Sequence, residues 1–153
     1  MNRLTDFLRS VFVSPELLFA LVPLAIYAYE PTWADMLLKP MSDSVGWGLS
    51  AAGLSIGMLA FSYKEGFGLL SLSGGRKVLI DWPDYPKLKM RVLGAFGWCL
   101  IGAFACVCAT WMVAKAFHPL LGITLLISGM FAAATATATI ALARFSLREL
   151  LGE

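Results

Sequence analysis

The sequence predicts an all-α integral membrane protein, a bundle of four transmembrane helices with a short cytoplasmic loop and amphipathic terminal segments. Three observations predict it. Of 153 residues, 59% are hydrophobic and only 14% charged, whereas a soluble domain carries about a quarter charged residues. The apolar residues gather in four long stretches, and the basic residues sort to one side of them. Four such stretches in so short a chain leave too little polar sequence to cover a soluble surface. A single domain over residues 1–153 is the natural count.

At the N-terminus, Leu4, Phe7, Leu8, Val11 and Phe12 share one helical face against Arg3, Asp6 and Arg9. That pattern predicts an amphipathic helix lying on the inner leaflet. The first span is expected over residues 15–30, with Ser14 as its cap and Pro15 as the first helical residue. It is the shortest of the four, and Pro23 is expected to kink it. Glu16 interrupts the apolar run and no small-x-small cleavage site follows, so a retained span is expected rather than a cleaved signal peptide. Glu16 and Glu30 lie at its two ends, where terminal carboxylates are ordinarily solvated.

The outer loop from Glu30 to Asp43 carries Trp33-Ala-Asp-Met-Leu-Leu38 between Pro31 and Pro40, one or two helical turns at the interface. Trp33 and Trp47 suit that depth, because an indole has an apolar body and a polar N–H. Ser42-Asp43-Ser44 offers a cap for a second span over residues 44–63.

The middle loop, residues 64–91, is the largest polar segment. Leu70-Ser-Leu-Ser73, Gly74-Gly75 and Arg76-Lys-Val-Leu-Ile80 predict a small β-hairpin, since two glycines supply the positive φ of a two-residue turn. The rival is a helix continuing from the second span to a Gly74 cap, against which Gly66 and Gly68 weigh. Asp81-Trp82-Pro83-Asp84-Tyr85-Pro86 repeats an Asp-aromatic-Pro triplet, and Pro86 suits the first position of the third helix. The third span is expected over 92–114 and the fourth over 119–143, with a tight turn from Lys115 to Pro119 between them. In the tail, Phe145, Leu147, Leu150 and Leu151 alternate with Arg144, Arg148 and Glu149, which fits either an interfacial helix or a continuation of the fourth span.

The charges orient the chain. Of twelve basic residues, ten fall on one side of a four-span arrangement: Arg3, Arg9, Lys64, Arg76, Lys77, Lys87, Lys89, Arg91, Arg144 and Arg148. Only Lys39 and Lys115 fall on the other. Basic residues near span ends are retained inside, so both termini and the middle loop are expected in the cytoplasm, in a bacterial inner membrane whose anionic headgroups they attract. The net charge is only +2, and no direct nucleic-acid binding is expected.

Chemistry is scarce. The cores of the last three spans contain no ionisable residue of the Asp, Glu, Lys, Arg or His type, which weighs against a proton- or ion-coupled transporter. Cys99, Cys106 and Cys108 lack metal-ligand spacing and read as small apolar residues. His118 is the only histidine, so paired haem ligation within the chain is excluded. Gly74-Gly75-Arg76-Lys77 could form an anion-binding nest, but the P-loop spacing is absent. Asp81, Asp84 and Lys87 form the one cluster a lipid-directed enzyme could use, and no nucleophile accompanies them. No enzymatic activity and no cofactor are expected.

What remains is packing and recognition. Gly53 and Gly57 form a Gly-x-x-x-Gly in the second span, and Gly129, Ala132, Thr135 and Thr139 lie along the fourth. Small residues let helices approach closely in lipid, within the bundle or between copies in a homo-oligomer. Thr135 and Thr139 share a face, together with Ser128 or Gly129, and could line a wet path, although helical hydroxyls commonly bond back to the preceding turn. Arg76, Lys77, Asp81, Trp82, Asp84 and Tyr85 form a docking surface in the loop: aromatics held by prolines bind with little entropy loss. Two functions follow as expectations. One is a membrane subunit that anchors or senses and recruits a cytoplasmic protein through residues 64–91, in a multi-gene system such as antiphage defence or a transport complex. The other is a homo-oligomeric channel or holin-like pore.

Overall fold

The computed structural model describes residues 14–42, 46–71 and 85–151. All the regular structure among them is α-helical. The helices are α1 (Pro15–Tyr29), α2 (Thr32–Ser42), α3 (Gly46–Ser71), α4 (Tyr85–Ala114) and α5 (Pro119–Leu151). Two are long and apolar enough to cross a membrane alone, Tyr85–Ala114 and Pro119–Ser146, and α1 with α2 passes only as a pair bent by 104°. Over its described residues α3 is diluted by glycine and serine and does not reach the same apolarity. The described residues are thus all-helical in their regular structure, with two to three membrane-crossing candidates.

Helix α1 starts where its sequence dictates. Ser14 is extended and its hydroxyl accepts the Leu17 N–H at 3.3 Å, while Pro15 occupies the position whose missing N–H costs nothing. Ser14 is itself buried, so water cannot replace its hydroxyl. Ser14→Ala is expected to lower unfolding stability by about 1–2 kcal/mol; a denaturant titration in detergent showing less than a few tenths would refute the cap. Glu30 ends the helix, donating its N–H to the Ile26 carbonyl at 2.7 Å, and its exposed carboxylate accepts the Thr32 hydroxyl at 3.1 Å. Pro31 follows, and the chain turns sharply into α2. Helix α2 has 11 residues, longer than the one or two turns expected, and runs through Pro40 instead of stopping there. A proline near the end of a helix removes a single hydrogen bond, to a carbonyl in the turn before it.

Helix α3 corrects the expected loop. It continues past Tyr63 to Ser71, so Leu70 and Ser71 are helical and cannot begin a hairpin strand at Leu70. Gly66 and Gly68 do not stop it. Gly66 is buried, and a Cβ there would meet Val92 Cγ1 at 3.3 Å, so close packing on α4 outweighs the intrinsic cost of a helical glycine. The remainder of the predicted hairpin, 72–80, and the segment 81–84 lie outside the described residues, as do residues 1–13 and 43–45. Helix α4 begins at Tyr85, and α5 runs unbroken to Leu151, so the tail through Leu151 continues α5.

Helix α5 is central: α4 packs along it most extensively, and α1, α2 and α3 all touch it. Val92, Ala95 and Cys99 of α4 interleave with Ala133, Ala136 and Ile140 of α5, with Met58 and Leu59 of α3 packed alongside. Nearer the 115–118 turn, Ala51, Ala109 and Leu126 form a second cluster. That turn is tight enough to hold Ala116 at φ 53° and His118 at φ 50°, both left-handed. Between the two clusters, α4 and α5 nearly touch at Gly102 and Gly129. A Cβ on Gly102 would lie 2.5 Å from the Gly129 carbonyl oxygen, and one on Gly129 would lie 2.7 Å from the Gly102 oxygen. This reciprocal approach places each glycine against the other's carbonyl, the setting for Cα–H···O contacts.

Candidate functional site

Small polar side chains cross the α3–α4, α3–α5, α4–α5 and α1–α5 interfaces. Ser55 of α3 donates to the Ala51 carbonyl at 2.9 Å and lies 3.2 Å from Cys106 Sγ of α4. Cys106 in turn approaches the Leu126 carbonyl of α5 at 3.5 Å. Thr110 of α4 reaches the Gly48 carbonyl of α3 at 3.0 Å, and Ser62 of α3 meets Thr137 of α5 at 3.1 Å. Ser128 of α5 donates to the Ala20 carbonyl of α1, in the turn preceding Pro23. Proline weakens the helical bonds around it, and a neighbouring hydroxyl can satisfy a carbonyl so affected.

Two buried carboxylates, each paired with an arginine, lie at the end opposite the 115–118 turn. Glu16 of α1 is 1% exposed, although terminal solvation is what its position in the sequence suggests. Its Oε1 accepts the Thr139 hydroxyl of α5 at 2.6 Å and lies 3.6 Å from Arg91 Nη2 of α4. Glu65 of α3, expected in a polar loop, is also buried, and its Oε2 pairs with Arg144 Nη1 of α5. That oxygen takes no other hydrogen bond. The two pairs share a level, because Gly66 beside Glu65 packs on Val92 beside Arg91. Both carboxylates are buried while both arginines keep over a third of their side chains exposed. Burying a carboxylate costs several kcal/mol unless a partner compensates, and here the partner comes each time from a different helix. Guanidinium keeps its charge throughout the accessible pH range, so each arginine offers its carboxylate a permanent cation across a helix interface.

The residues singled out from the sequence divide. Arg76, Lys77, Asp81, Trp82 and Asp84 lie outside the described residues. Tyr85 begins α4 and packs half-buried against the Val92 cluster, so its ring already serves the fold. Gly53 and Gly57 are exposed, and a Cβ on either would meet nothing within 4 Å. Among the described residues they mediate no helix packing; the close approach falls to Gly102 and Gly129. Gly129 and Ala132 do sit in the α4–α5 interface. Thr135 is half-buried and bonds back to Phe131 and Ala132 carbonyls at 2.7 and 3.1 Å, whereas Thr139 reaches across to Glu16. Ser128 and Thr139 therefore face α1.

Sequence reasoning missed Glu16, Glu65, Arg91 and Arg144 as a group. A signal existed for Glu65: Ala51, Ser55, Ser62 and Glu65 fall on one helical face, and all four are buried. Among the described residues no three His, Cys, Asp or Glu side chains come together as a metal site would need. Comparison with protein-family models, with curated proteins and with solved structures finds no match to this chain.

Proposed function

We propose that the protein is a four-span inner-membrane subunit, with both termini in the cytoplasm, that recruits a cytoplasmic partner through the segment between α3 and α4. On this reading α1, α3, α4 and α5 all cross, and the charged end faces the cytoplasm, as retention of basic residues requires. The observation that carries it is the inward satisfaction of the helices' polar groups. Ser55, Ser62, Ser128, Thr137 and Thr139 are all engaged by other helices. That leaves the segment 72–84, whose sequence carries Arg76, Lys77, Asp81, Trp82 and Asp84, as the polar stretch proposed to recruit a partner. The helical extension of α3 narrows the recruiting loop from 64–91 to these residues and the first turn of α4. A bacterial multi-gene system, in transport or antiphage defence, is the proposed setting. No enzymatic activity is proposed.

The test is purification of the tagged chain from its own cells in mild detergent, followed by measurement of complex mass and composition. A stoichiometric soluble protein is expected, lost on Trp82→Ala and on Arg76→Ala/Lys77→Ala while the helical circular-dichroism signal stays unchanged. Tyr85 is a poor probe because its substitution also disturbs packing. A defined self-oligomer without a partner would defeat the reading.

The exposure of Gly53 and Gly57 favours a second reading, a homo-oligomeric channel or holin-like pore assembled through α3. In a channel lined by α5, Thr135→Leu or Thr139→Leu would abolish liposome conductance. Unaltered conductance in both would exclude that lining.

A further inference from the structure

We infer that α1 is a hinged arm, held shut by Glu16 through its ion pair with Arg91 of α4 and its hydrogen bond from Thr139 of α5, and able to swing from its fixed far end when that latch is broken. Helix α1 buries only Glu16, Ala20 and Pro23, one residue per turn on a single narrow face. Leu18, Phe19, Leu21, Val22 and Ile26 point away from the bundle. Its neighbour is almost entirely α5; contact with α4 is slight. An apolar helix gains little from apolar contacts when lipid offers the same surroundings, so polar ties decide where it rests. Glu16 supplies such a tie to two helices at once, Thr139 of α5 and Arg91 of α4.

The other end is anchored differently. After Glu30 and Pro31 the chain bends by 104° into α2, whose Ala34 is completely buried and which rests on α5. Hinges are commonly a few residues at element ends, and residues 30–31 fit that description. The arm thus has an apolar seat and a break at one end and a charged latch at the other. Removing one partner of a charged latch leaves the other buried and uncompensated, which favours the open position where water or headgroups can reach it. Opening separates Ser128 from the Ala20 carbonyl and Thr139 from Glu16, and so uncovers a hydroxyl-bearing flank of α5. The inference goes beyond recruitment of a partner and does not depend on it.

Spin labels at Leu18 of α1 and Leu142 of α5 test this, since both side chains are about two-thirds exposed and tolerate replacement. Labels at Phe104 of α4 and Leu142 form the control pair, in a background with half-buried Cys108 replaced by alanine. Pulsed distance measurements in detergent should give one short Leu18–Leu142 population in the parent. Glu16→Ala and Arg91→Glu should each add a population longer by about one helical pitch or more, roughly 5 Å. The Phe104–Leu142 distance should not move. Glu16→Lys/Arg91→Glu should restore the short population. Unchanged Leu18–Leu142 distances in both single variants would overturn the inference. So would a parallel change in the control pair, which would mean that the whole bundle loosens. Should Glu16→Ala fail to fold, Arg91→Glu at its half-exposed position decides alone.

Discussion

Gly102→Ala is expected to lower the unfolding free energy of the helical bundle by about 2–3 kcal/mol, and Gly102→Leu to abolish the folded state. One added methyl would stand 2.5 Å from the Gly129 carbonyl oxygen and 3.0 Å from the Ala133 nitrogen. Both obstacles are backbone, so no side-chain rotation relieves them. The helices must part, and the contacts on either side of the crossing part with them. Overpacking of a close-packed interior costs about 1–3 kcal/mol and more when backbone must move. Gly53→Ala and Gly57→Ala provide the contrast. Both face open space, and alanine is the better helix former by about 1 kcal/mol. They are expected to leave stability equal or slightly raised. Denaturant titration in detergent, followed by circular dichroism, checks all four. Equal effects at Gly102 and Gly53 would contradict the α4–α5 crossing.

Arg144→Met is expected to cost about 3 kcal/mol, because it leaves the Glu65 carboxylate buried without its cation. Arg144 is over a third exposed, so water offsets part of its own loss. The carboxylate has no such recourse, and its Oε2 has no other hydrogen-bond partner. Glu65→Leu/Arg144→Met should therefore recover most of what Arg144→Met loses. The coupling in a double-mutant cycle is expected to exceed about 1 kcal/mol. Additive losses would show that the two side chains do not depend on each other.

The helices were largely legible because span length and capping are local properties. Ser14 and Pro15 marked the start of α1 to the residue, and the 115–118 turn fell where His118-Pro119 placed it. The burial pattern of α3 was not legible, for a physical reason. Two faces of that helix are almost equally small: Gly46, Ser50, Gly53 and Gly57 on one, Ala51, Ser55 and Ser62 on the other. Glycine attracts attention because it permits close approach, yet the serine face is the buried one. What chooses between them is the set of partners on α4 and α5, Cys106 and Thr137, which no local pattern reveals. The buried carboxylates were hidden for the same reason. Glu16 and Glu65 look like solvated flanks until Arg91 and Arg144, 75 and 79 residues away, are brought beside them. Of the residues chosen for recognition, all but Tyr85 lie outside the described residues and stand on their sequence pattern alone.

The central place of α5 has a consequence for how the chain is made. Synthesis runs from the N-terminus, at about 5–20 residues per second. Helices α1 and α3 therefore leave the ribosome several seconds before the helix they rest on exists. Through that interval Glu16 and Glu65 have neither Arg91 nor Arg144 beside them. Glu16 meets its cation only when α4 is made, Glu65 must wait for the last helix, and that final helix also supplies the Thr139 hydroxyl to Glu16 and packing contacts to all the others.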